Sequence, residues 1–212
     1  MLHLTIGNRN YSSWSMRAWL ATRLCAAEFE ERIFHLGEPG VRARIREHSP
    51  TGRVPALRDG DLTVWDSLAI AEYLAERFPD AGLWPADRAA RARARSACAE
   101  MHSGFAALRA NMPFNVRRRA PGKGRAPGVE DDIARIRQLW RECLAAGCDY
   151  LFGDFGLADV FYAPVVVRFR TYAVTLEEPE ASWSARVLDH AHVRAWCEAA
   201  EAESWVEPQY DV

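Results

Sequence analysis

The sequence predicts an α/β unit over residues 1–79 followed by an all-helical unit over residues 88–212. Through the first eighty residues, short apolar runs alternate with helical patterns, which is typical of an α/β unit. From Arg88 onward only helical periods appear. Pro79 ends the last helix of the first unit, and residues 80–87 contain proline and glycine and are expected to form a linker.

The first strand and helix follow from their apolar periods. Alternation from Leu2 to Ile6 predicts a strand, and the i, i+4, i+8 spacing from Met16 to Leu24 predicts a helix from Ser13 to about Ala27. The segment Phe29–Leu36 is expected to form a second strand.

A hairpin and a helix complete the α/β unit. The runs Val54–Arg58 and Leu62–Trp65 flank Asp59-Gly60, a dipeptide that favours a tight turn between antiparallel strands. Asp66 is a good N-cap, and an apolar stripe from Leu68 to Phe78 predicts the helix that follows it. The expected order is β-α-β, a helical or irregular crossover, then β-β-α.

The second unit carries four helical patterns, over Arg88 to about Ala110, Val129–Ala146, Leu157–Tyr172 and about Ser184–Ala202. A loop rich in Pro, Gly and Arg, Pro113–Gly128, separates the first two. The alternation of arginine and alanine from Arg88 to Arg95 is typical of a solvated helix face and does not indicate RNA binding.

Composition and charge exclude several classes of protein. The 212 residues are 49% hydrophobic and 26% charged, with a net charge of −2, which fits a soluble globular protein and argues against a nucleic-acid partner. No run approaches the roughly 18 apolar residues of a membrane span, and the first ten residues lack a signal-peptide profile, so we expect a cytoplasmic protein without membrane contact. Five cysteines at irregular spacing indicate reduced thiols rather than disulfides or a zinc site, and no metal is expected.

The segment Tyr11–Arg17, YSSWSMR, places hydroxyls at a strand-to-helix junction. Free backbone N–H groups and the helix dipole favour an anion at such a junction. Serines at a helix start are also common caps, and the segment alone leaves both interpretations open.

Two further short motifs point to a peptide ligand. In Gly52–Leu57, Pro55 fits a strand at its start, at an edge or after a cis bond, and a cis bond would leave the backbone of Val54 free to pair with an extended peptide. Asp66-Ser67 offers a carboxylate for an ammonium group, and a hydroxyl with backbone N–H groups for a carboxylate. The alternatives are that Pro55 merely opens the strand and that Asp66 is a simple N-cap.

Together these motifs resemble the glutathione transferase family over almost the whole chain. SSWSMR is similar to the Ser-Ser-Cys-Ser-x-Arg signature of the zeta class, GRVPAL to the cis-proline strand, and WDSLAIAEYLAERF to the helix that holds the γ-glutamyl group. FGDFGLADVFYAP is similar to the capping motif of the helical domain, in which Asp159 folds back on Gly156. The resemblance, to a bacterial, zeta-like serine-type member, implies a thioredoxin-like N-terminal domain and an all-α C-terminal domain.

The resemblance also implies a set of site residues. Ser12 would donate a hydrogen bond to the sulfur of the co-substrate glutathione, with Ser13 as the reserve candidate. Arg53, Val54 and Pro55 would contact its peptide backbone or glycine end, and Asp66 and Ser67 its γ-glutamyl end. The implied electrophile pocket is lined by Tyr11, Met101, Phe105, Arg168 and Tyr172.

Several functions remain compatible with this resemblance. The main expectation is conjugation of glutathione to a small electrophile in detoxification; without Cys-x-x-C, disulfide exchange is not expected. Alternatives are a zeta-like cis-trans isomerase of the maleylacetoacetate type and a non-catalytic glutathione-binding protein. Trp14 and Thr171 depart from the zeta pattern, although Arg168 and Arg170 lie near the latter.

Two groups of charged residues are candidates for a role at the protein surface. Arg117, Arg118 and Arg119 either attract an acidic substrate to the pocket mouth or are simply solvated. Family members are commonly homodimers, in which Glu100 and His102 would reach a glutathione site across the interface.

Overall fold

A computed structural model of the chain describes residues 1–210, and residues 211 and 212, the end of the predicted helical unit, lie outside the described residues. The strands are β1 (Leu2–Gly7), β2 (Phe29–Phe34), β3 (Ala56–Asp59) and β4 (Leu62–Trp65). The helices are α1 (Ser13–Leu24), α2 (Val41–Arg46), α3 (Ser67–Arg77), α4 (Arg88–Ser103), α5 (Ala106–Asn111), α6 (Val129–Leu144), α7 (Leu157–Tyr172), α8 (Glu180–Asp189) and α9 (Ala191–Ala202). Short 3₁₀ turns occupy Pro79–Ala81 and Pro208–Tyr210.

The strands form a mixed sheet in the order β2-β1-β3-β4. β1 runs parallel to β2 and antiparallel to β3, with Leu4 opposite Leu57, and β3 pairs antiparallel with β4. The predicted order β-α-β, crossover, β-β-α is confirmed, and the crossover is the short helix α2. The hairpin turn lies one residue later than expected, because Asp59 pairs with Leu62, and Gly60 takes a positive φ of 57°.

One hydrophobic core joins the sheet to the helical unit. α1 packs against α3 on one side and against α7 on the other. Leu4 of the sheet and Phe161 of α7 are both fully buried and belong to the same cluster. The start of α1 is therefore fixed between the sheet and the helical unit.

The predicted helix from Arg88 to Ala110 is two helices. α4 ends at Ser103, and Phe105 takes a positive φ of 59° before α5 begins. A Cβ atom at Gly104 would lie 2.7 Å from the carbonyl oxygen of Glu100, so this turn requires glycine. The break redirects α5 and brings Arg109 towards α1.

The predicted helix from about Ser184 to Ala202 is also wrong, because α8 ends at Asp189 and α9 begins at Ala191. His190 between them has an extended ψ of 131°, and its ring stacks on Phe155 with centroids 3.8 Å apart. This aromatic contact fixes the corner between the two helices.

Three features of the structure concern membrane spans, cysteines and metal sites. No helix within residues 1–210 is long and apolar enough to cross a bilayer. All five cysteines are free thiols, as predicted. Among the described residues, no group of three or more His, Cys, Asp or Glu side chains is arranged to hold a metal ion.

Candidate functional site

A cavity of about 510 Å³ opens between the sheet end of the α/β unit and the helical unit. Its walls come from the start of α1, the segment around α2, the residues before β3, and parts of the helical unit. The lining residues that carry chemistry are Tyr11, Ser12, Ser13, Trp14, Arg53, Val54, Arg109, Phe114, Arg168 and Tyr210. A larger cleft of about 630 Å³ lies between α4 and α6; of the residues predicted to bind glutathione it contains Glu100, and none of the predicted catalytic residues line it.

Ser12 is the N-cap of α1. Its Oγ accepts a hydrogen bond from the backbone N–H of Ser15 at 3.3 Å and donates to the Oγ of Ser15 at 2.7 Å. The Oγ of Ser15 also accepts from the backbone N–H of Gly7 at 3.0 Å. Ser12 therefore caps the helix and lies in the cavity wall at once, so the two interpretations that the sequence left open do not exclude each other.

Ser13 contacts a buried cation. Its Oγ accepts a hydrogen bond from Nη2 of Arg168 at 3.3 Å. Within residues 1–210 the hydroxyl of Ser13 donates its own proton to no acceptor, whereas that of Ser12 donates to Ser15. A hydroxyl hydrogen rotates to suit its partner, so both serines can present a donor to the cavity.

Three arginines surround Trp14 and Ser13. Arg17 and Arg109 place their guanidinium groups 4.7 and 4.6 Å from the ring of Trp14, and Arg168 lies over Phe114 at 5.6 Å. Their hydrogen-bond acceptors are carbonyl and hydroxyl oxygens rather than carboxylates. Among the described residues, both Nη atoms of Arg17 and Nη1 of Arg168 have no hydrogen-bond partner.

Burial and the positive charges of neighbouring arginines lower the pKa values of Arg168 and Arg17. Burial, together with the charge of Arg109, lowers the pKa of Arg168 to about 9, so its guanidinium is still charged at neutral pH. Burial and the charges of Arg109 and Arg168 lower the pKa of Arg17 well below its usual value. Since uncompensated buried cations favour an anion nearby, this end of the cavity is suited to a thiolate or a carboxylate.

Val54 lies in the opposite wall. The Val54–Pro55 peptide bond is cis, the arrangement that the sequence offered as one of three alternatives. The ladder between β3 and β1 begins at Ala56, so the backbone of Val54 precedes the paired residues. Arg53 is exposed, lines the same cavity and donates its backbone N–H to Oγ1 of Thr51.

Asp66 and Ser67 stand at the start of α3, outside the cavity lining. The carboxylate of Asp66 caps the helix by accepting from the backbone N–H of Leu68 at 2.8 Å. Nε2 of His102 lies 2.7 and 2.9 Å from the two carboxylate oxygens of Asp66 in the same chain. Ser67 is buried, and its Oγ has no partner among the described residues.

The predicted electrophile pocket is only partly assembled. Tyr11 and Arg168 line the cavity, whereas Met101, Phe105 and Tyr172 are buried in the core and do not. Tyr172 donates its hydroxyl to the carbonyl oxygen of Pro113 at 3.1 Å and so supports a wall that it does not itself line.

Sequence reasoning missed Trp14, Arg109, Phe114 and Tyr210 as lining residues. Trp14 carried a usable signal, because it lies between the serines of the first motif. The position of Arg109 depends on the helix break at Gly104, which the apolar pattern did not predict.

Two charged groups for which the sequence carried expectations have partners within the chain. Arg117 donates to the carbonyl oxygens of Glu203 and Trp205 and to the hydroxyl of Tyr11, so it is neither a solvated cation nor part of the lining. Glu100 forms a bidentate pair with Arg135 of α6, at 2.7 and 2.9 Å.

A family model described as glutathione S-transferase, N-terminal domain, matches residues 11–77. Among curated proteins, glutathione S-transferase 1 of Dianthus caryophyllus is 30% identical, with 74% of this chain and 72% of that protein aligned. Maleylacetoacetate isomerase of Pseudomonas aeruginosa is 31% identical over 78% of this chain and 81% of that protein.

Other alignments are shorter or reflect the fold alone. The match to a dichloromethane dehalogenase of Methylorubrum extorquens is 45% identical but covers 26% of this chain and 20% of that protein, so the chain spans only about a fifth of that relative. A solved holo structure of a maleylpyruvate isomerase, described as a bacterial zeta-class glutathione S-transferase, superposes with a TM-score of 0.74 at 24% identity, covering 96% of this chain and 100% of that one. This likeness confirms the predicted fold class, a thioredoxin-like sheet unit followed by a helical unit.

Proposed function

The chain belongs to the glutathione S-transferase family, and from that premise we propose that it binds glutathione in the cavity beside Val54 and activates the thiol with Ser12. The observation that carries the proposal is the position of Val54. Its backbone, before a cis-proline and outside the sheet ladder, lies in the wall of the same cavity as the hydroxyls at the start of α1.

The peptide would bind by β-augmentation. The cysteinyl residue pairs with the backbone of Val54, so its sulfur points towards the N-terminus of α1. Asp66 and the buried hydroxyl of Ser67, which has no partner within residues 1–210, receive the γ-glutamyl end, and Arg53 receives the glycine end. The cysteinyl backbone, the amino-acid head group and the glycine carboxylate of glutathione then each have a binding group in the protein.

Activation of sulfur needs a donor to the thiolate. A hydrogen bond to the charged form of an acid lowers its pKa, and the positive end of the α1 dipole acts in the same direction. The thiol proton leaves to solvent, and the thiolate forms a carbon–sulfur bond with the electrophilic carbon while the leaving group, a halide in an aryl halide, departs to solvent with the electron pair of its bond to that carbon. Ser12 occupies the end of the helix, and Ser13, whose proton is uncommitted within residues 1–210, is the second candidate for this donor.

The test is the thiol pKa of bound glutathione, followed by thiolate absorbance in wild type, Ser12→Ala and Ser13→Ala. Ser103→Ala, an exposed serine at the end of α4, is the matched control. We expect a lowered pKa in wild type and in the control, and a higher one in Ser12→Ala. A rise only in Ser13→Ala transfers the role to Ser13, and a lowered pKa that neither variant changes refutes activation by the serines. A pKa that is not lowered in wild type leaves only a non-catalytic binding protein.

A second candidate function is glutathione-dependent isomerisation of a maleyl keto acid. Arg168, which lines the cavity and whose buried Nη1 has no partner among the described residues, favours an electrophile that carries a carboxylate. Relatives named maleylacetoacetate isomerase and maleylpyruvate isomerase support the same direction. A panel of electrophiles with glutathione, comprising a maleyl keto acid, a neutral aryl halide and a hydroperoxide, separates isomerisation, conjugation and peroxide reduction.

We further propose a cytoplasmic homodimer with a role in detoxification. Leu62 and Trp65 are 50% and 47% exposed next to the start of α3, and this apolar surface suits a second copy of the chain. Sedimentation of wild type and Trp65→Ser tests the assembly. A monomeric wild type at micromolar concentration would contradict it.

A further inference from the structure

The segment after α9, residues 203–210, returns to the loop that carries the serines. The carboxylate of Glu203 accepts hydrogen bonds from the backbone N–H groups of Arg9 at 2.6 Å and Asn10 at 3.0 Å. These loop residues lie between β1 and α1, so neither sheet nor helix supplies acceptors for them. Their acceptors come from a position more than 190 residues later in the chain.

Glu207 makes a second attachment and is almost completely buried, with 2% of its surface exposed. Its Oε1 lies 2.7 Å from the backbone nitrogen of Gly37, 3.1 Å from Nδ2 of Asn8 and 3.1 Å from Nε2 of His35. A Cβ atom at position 37 would collide with the carboxylate of Glu207 where it lies in the structure. A buried carboxylate with two N–H donors and a histidine nitrogen around one oxygen is a built attachment point rather than a chance surface contact.

Asn8 connects Glu207 to the serine. The side chain of Asn8 donates to Glu207, and its backbone carbonyl oxygen accepts the backbone N–H of Ser12 at 2.9 Å. Asn8 is fully buried, and its Oδ1 accepts the backbone N–H of Leu36 at 2.9 Å. One residue, Asn8, therefore links the carboxylate of Glu207 to the backbone of Ser12 through hydrogen bonds.

Arg117 holds the segment from the helical side. Its guanidinium donates to the carbonyl oxygens of Glu203 and Trp205, and its backbone N–H donates to Oδ1 of Asn10. Trp205 stacks on His35 with centroids 5.2 Å apart, and the ring of Tyr210 lies 5.8 Å from that of Tyr11, in the cavity wall. The segment thus contacts both units and the site.

We propose that Glu203 and Glu207 are positioning residues that hold the serine loop, residues 8–12, in the geometry needed to activate the thiol. The inference rests on the proposed function, because it assumes that the site activates the thiol of glutathione. The positioning of the loop itself rests on the hydrogen bonds described above. Neither glutamate lines the cavity, so both act through the loop backbone. The groups assigned to binding glutathione, Val54 and Asp66, lie outside this network.

Glu207→Gln and Glu203→Gln test the proposal, with Glu201→Gln, an exposed glutamate on α9, as the matched control. The amide adds donors where backbone N–H groups already point at the carboxylate. We expect kcat for conjugation to fall roughly tenfold to a hundredfold, the range that a displacement of about 1 Å produces. The KM for glutathione, measured at a pH below the thiol pKa of the bound form, should change less than about twofold, because glutathione then binds as the thiol and Val54 and Asp66 are unaltered.

Two further measurements make the result decisive. The thiol pKa of bound glutathione should rise in both variants, and the amides of residues 8–12 should exchange their hydrogens faster than in wild type. A lower Tm with unchanged kcat and unchanged thiol pKa would mean that the glutamates only stabilise the fold, and the proposal would fall. If the buried variant Glu207→Gln does not fold, Glu203→Gln, at a half-buried residue, tests the same positioning by the same measurements.

Failure of the proposed function looks different. A wild type that does not lower the thiol pKa refutes thiol activation by this site. Hydrogen exchange of residues 8–12 then still tests the attachment of the loop, and unchanged exchange in both glutamate variants refutes the positioning.

Discussion

Replacing Arg168 by Met should separate charged from neutral electrophiles. Arg168 is 4% exposed, its Nη1 has no partner among the described residues, and its Nη2 contacts Ser13. A charge-assisted hydrogen bond to a carboxylate in such a place contributes about 1.5–3 kcal/mol, and the Coulomb energy at about 4 Å with an effective dielectric constant near 20 is about 4 kcal/mol. After desolvation of the ligand, about 2–3 kcal/mol is a reasonable net value, which corresponds to a roughly 30- to 150-fold change in rate.

The assay is the ratio of kcat/KM for a maleyl keto acid to kcat/KM for a neutral aryl halide, both with saturating glutathione. Arg168→Met should lower this ratio by the factor given above, and the ratio cancels any loss of folded enzyme. Arg170→Met is the matched control, since Arg170 lies on the same helix, outside the cavity lining, and donates to the carbonyl oxygen of Val116. If Arg168→Met lowers both rates equally, Arg168 supports the fold and does not recognise a carboxylate.

Three other predictions use different parts of the chain. His102→Leu should raise the KM for glutathione several-fold with kcat nearly unchanged, because His102 orients the carboxylate of Asp66, and His102→Gln should restore much of the loss; steady-state kinetics and titration calorimetry check both. Burial raises the pKa of Asp159 to about 6, so the folded state binds this proton more tightly than the unfolded state. The free energy of unfolding of wild type relative to Asp159→Asn should therefore rise by up to about 3 kcal/mol as the pH falls from 7.5 to 4, measured by urea unfolding, and a difference that falls or stays constant would contradict this cause. Burial raises the pKa of the Cys143 thiol to about 11, so its alkylation at pH 7.5 should be roughly twentyfold slower than that of a free thiol with a pKa of about 8.5, because the thiolate is about 300-fold scarcer and its higher nucleophilicity restores part of the loss; mass spectrometry would measure this rate.

The hairpin turn and the cap of α7 were predicted from residues that are close together in the sequence. Asp59-Gly60 between apolar runs marked the hairpin, with the turn displaced by one residue. Asp159 does fold back on the helix start, where its carboxylate accepts the backbone N–H of Gly156 at 3.1 Å. Each feature depends on residues within a few positions of one another, which is the range over which turn and capping chemistry acts.

The helix break at Gly104 escaped prediction because the apolar period continues through it. Met101, Phe105 and Leu108 are spaced as one buried helix face and are all buried, yet the chain turns between the first two. A periodic pattern records which side chains are buried and does not record the direction of the backbone. The position of Arg109 depends on that direction, so it could not be predicted either.

The candidate site was predictable on its α/β side, whereas on its helical side Arg168 was predicted but Arg109 and Phe114 were not. Ser12, Val54 and Asp66 belong to short motifs, each with a chemical reason at its own position. Glu203 and Glu207 reach the serine loop across more than 190 residues, and their pairing depends on how α9 ends and where the chain returns. Such contacts depend on tertiary packing, and the residue pattern of a single sequence does not show which distant residues meet.

Activation of sulfur alone cannot account for a large rate enhancement by this site. A thiol of pKa about 8.5 is a few per cent ionised at pH 7, so a lower pKa raises the thiolate population at most roughly thirtyfold. Part of this gain is lost, because nucleophilicity falls with pKa at a slope of about 0.4–0.5. Placement of the electrophile must supply the rest. For an electrophile with carboxylates we therefore expect Arg168→Met to cost more rate than Ser12→Ala, and for a neutral electrophile the reverse order. The same order with both electrophiles would mean that the buried arginines do not place the substrate.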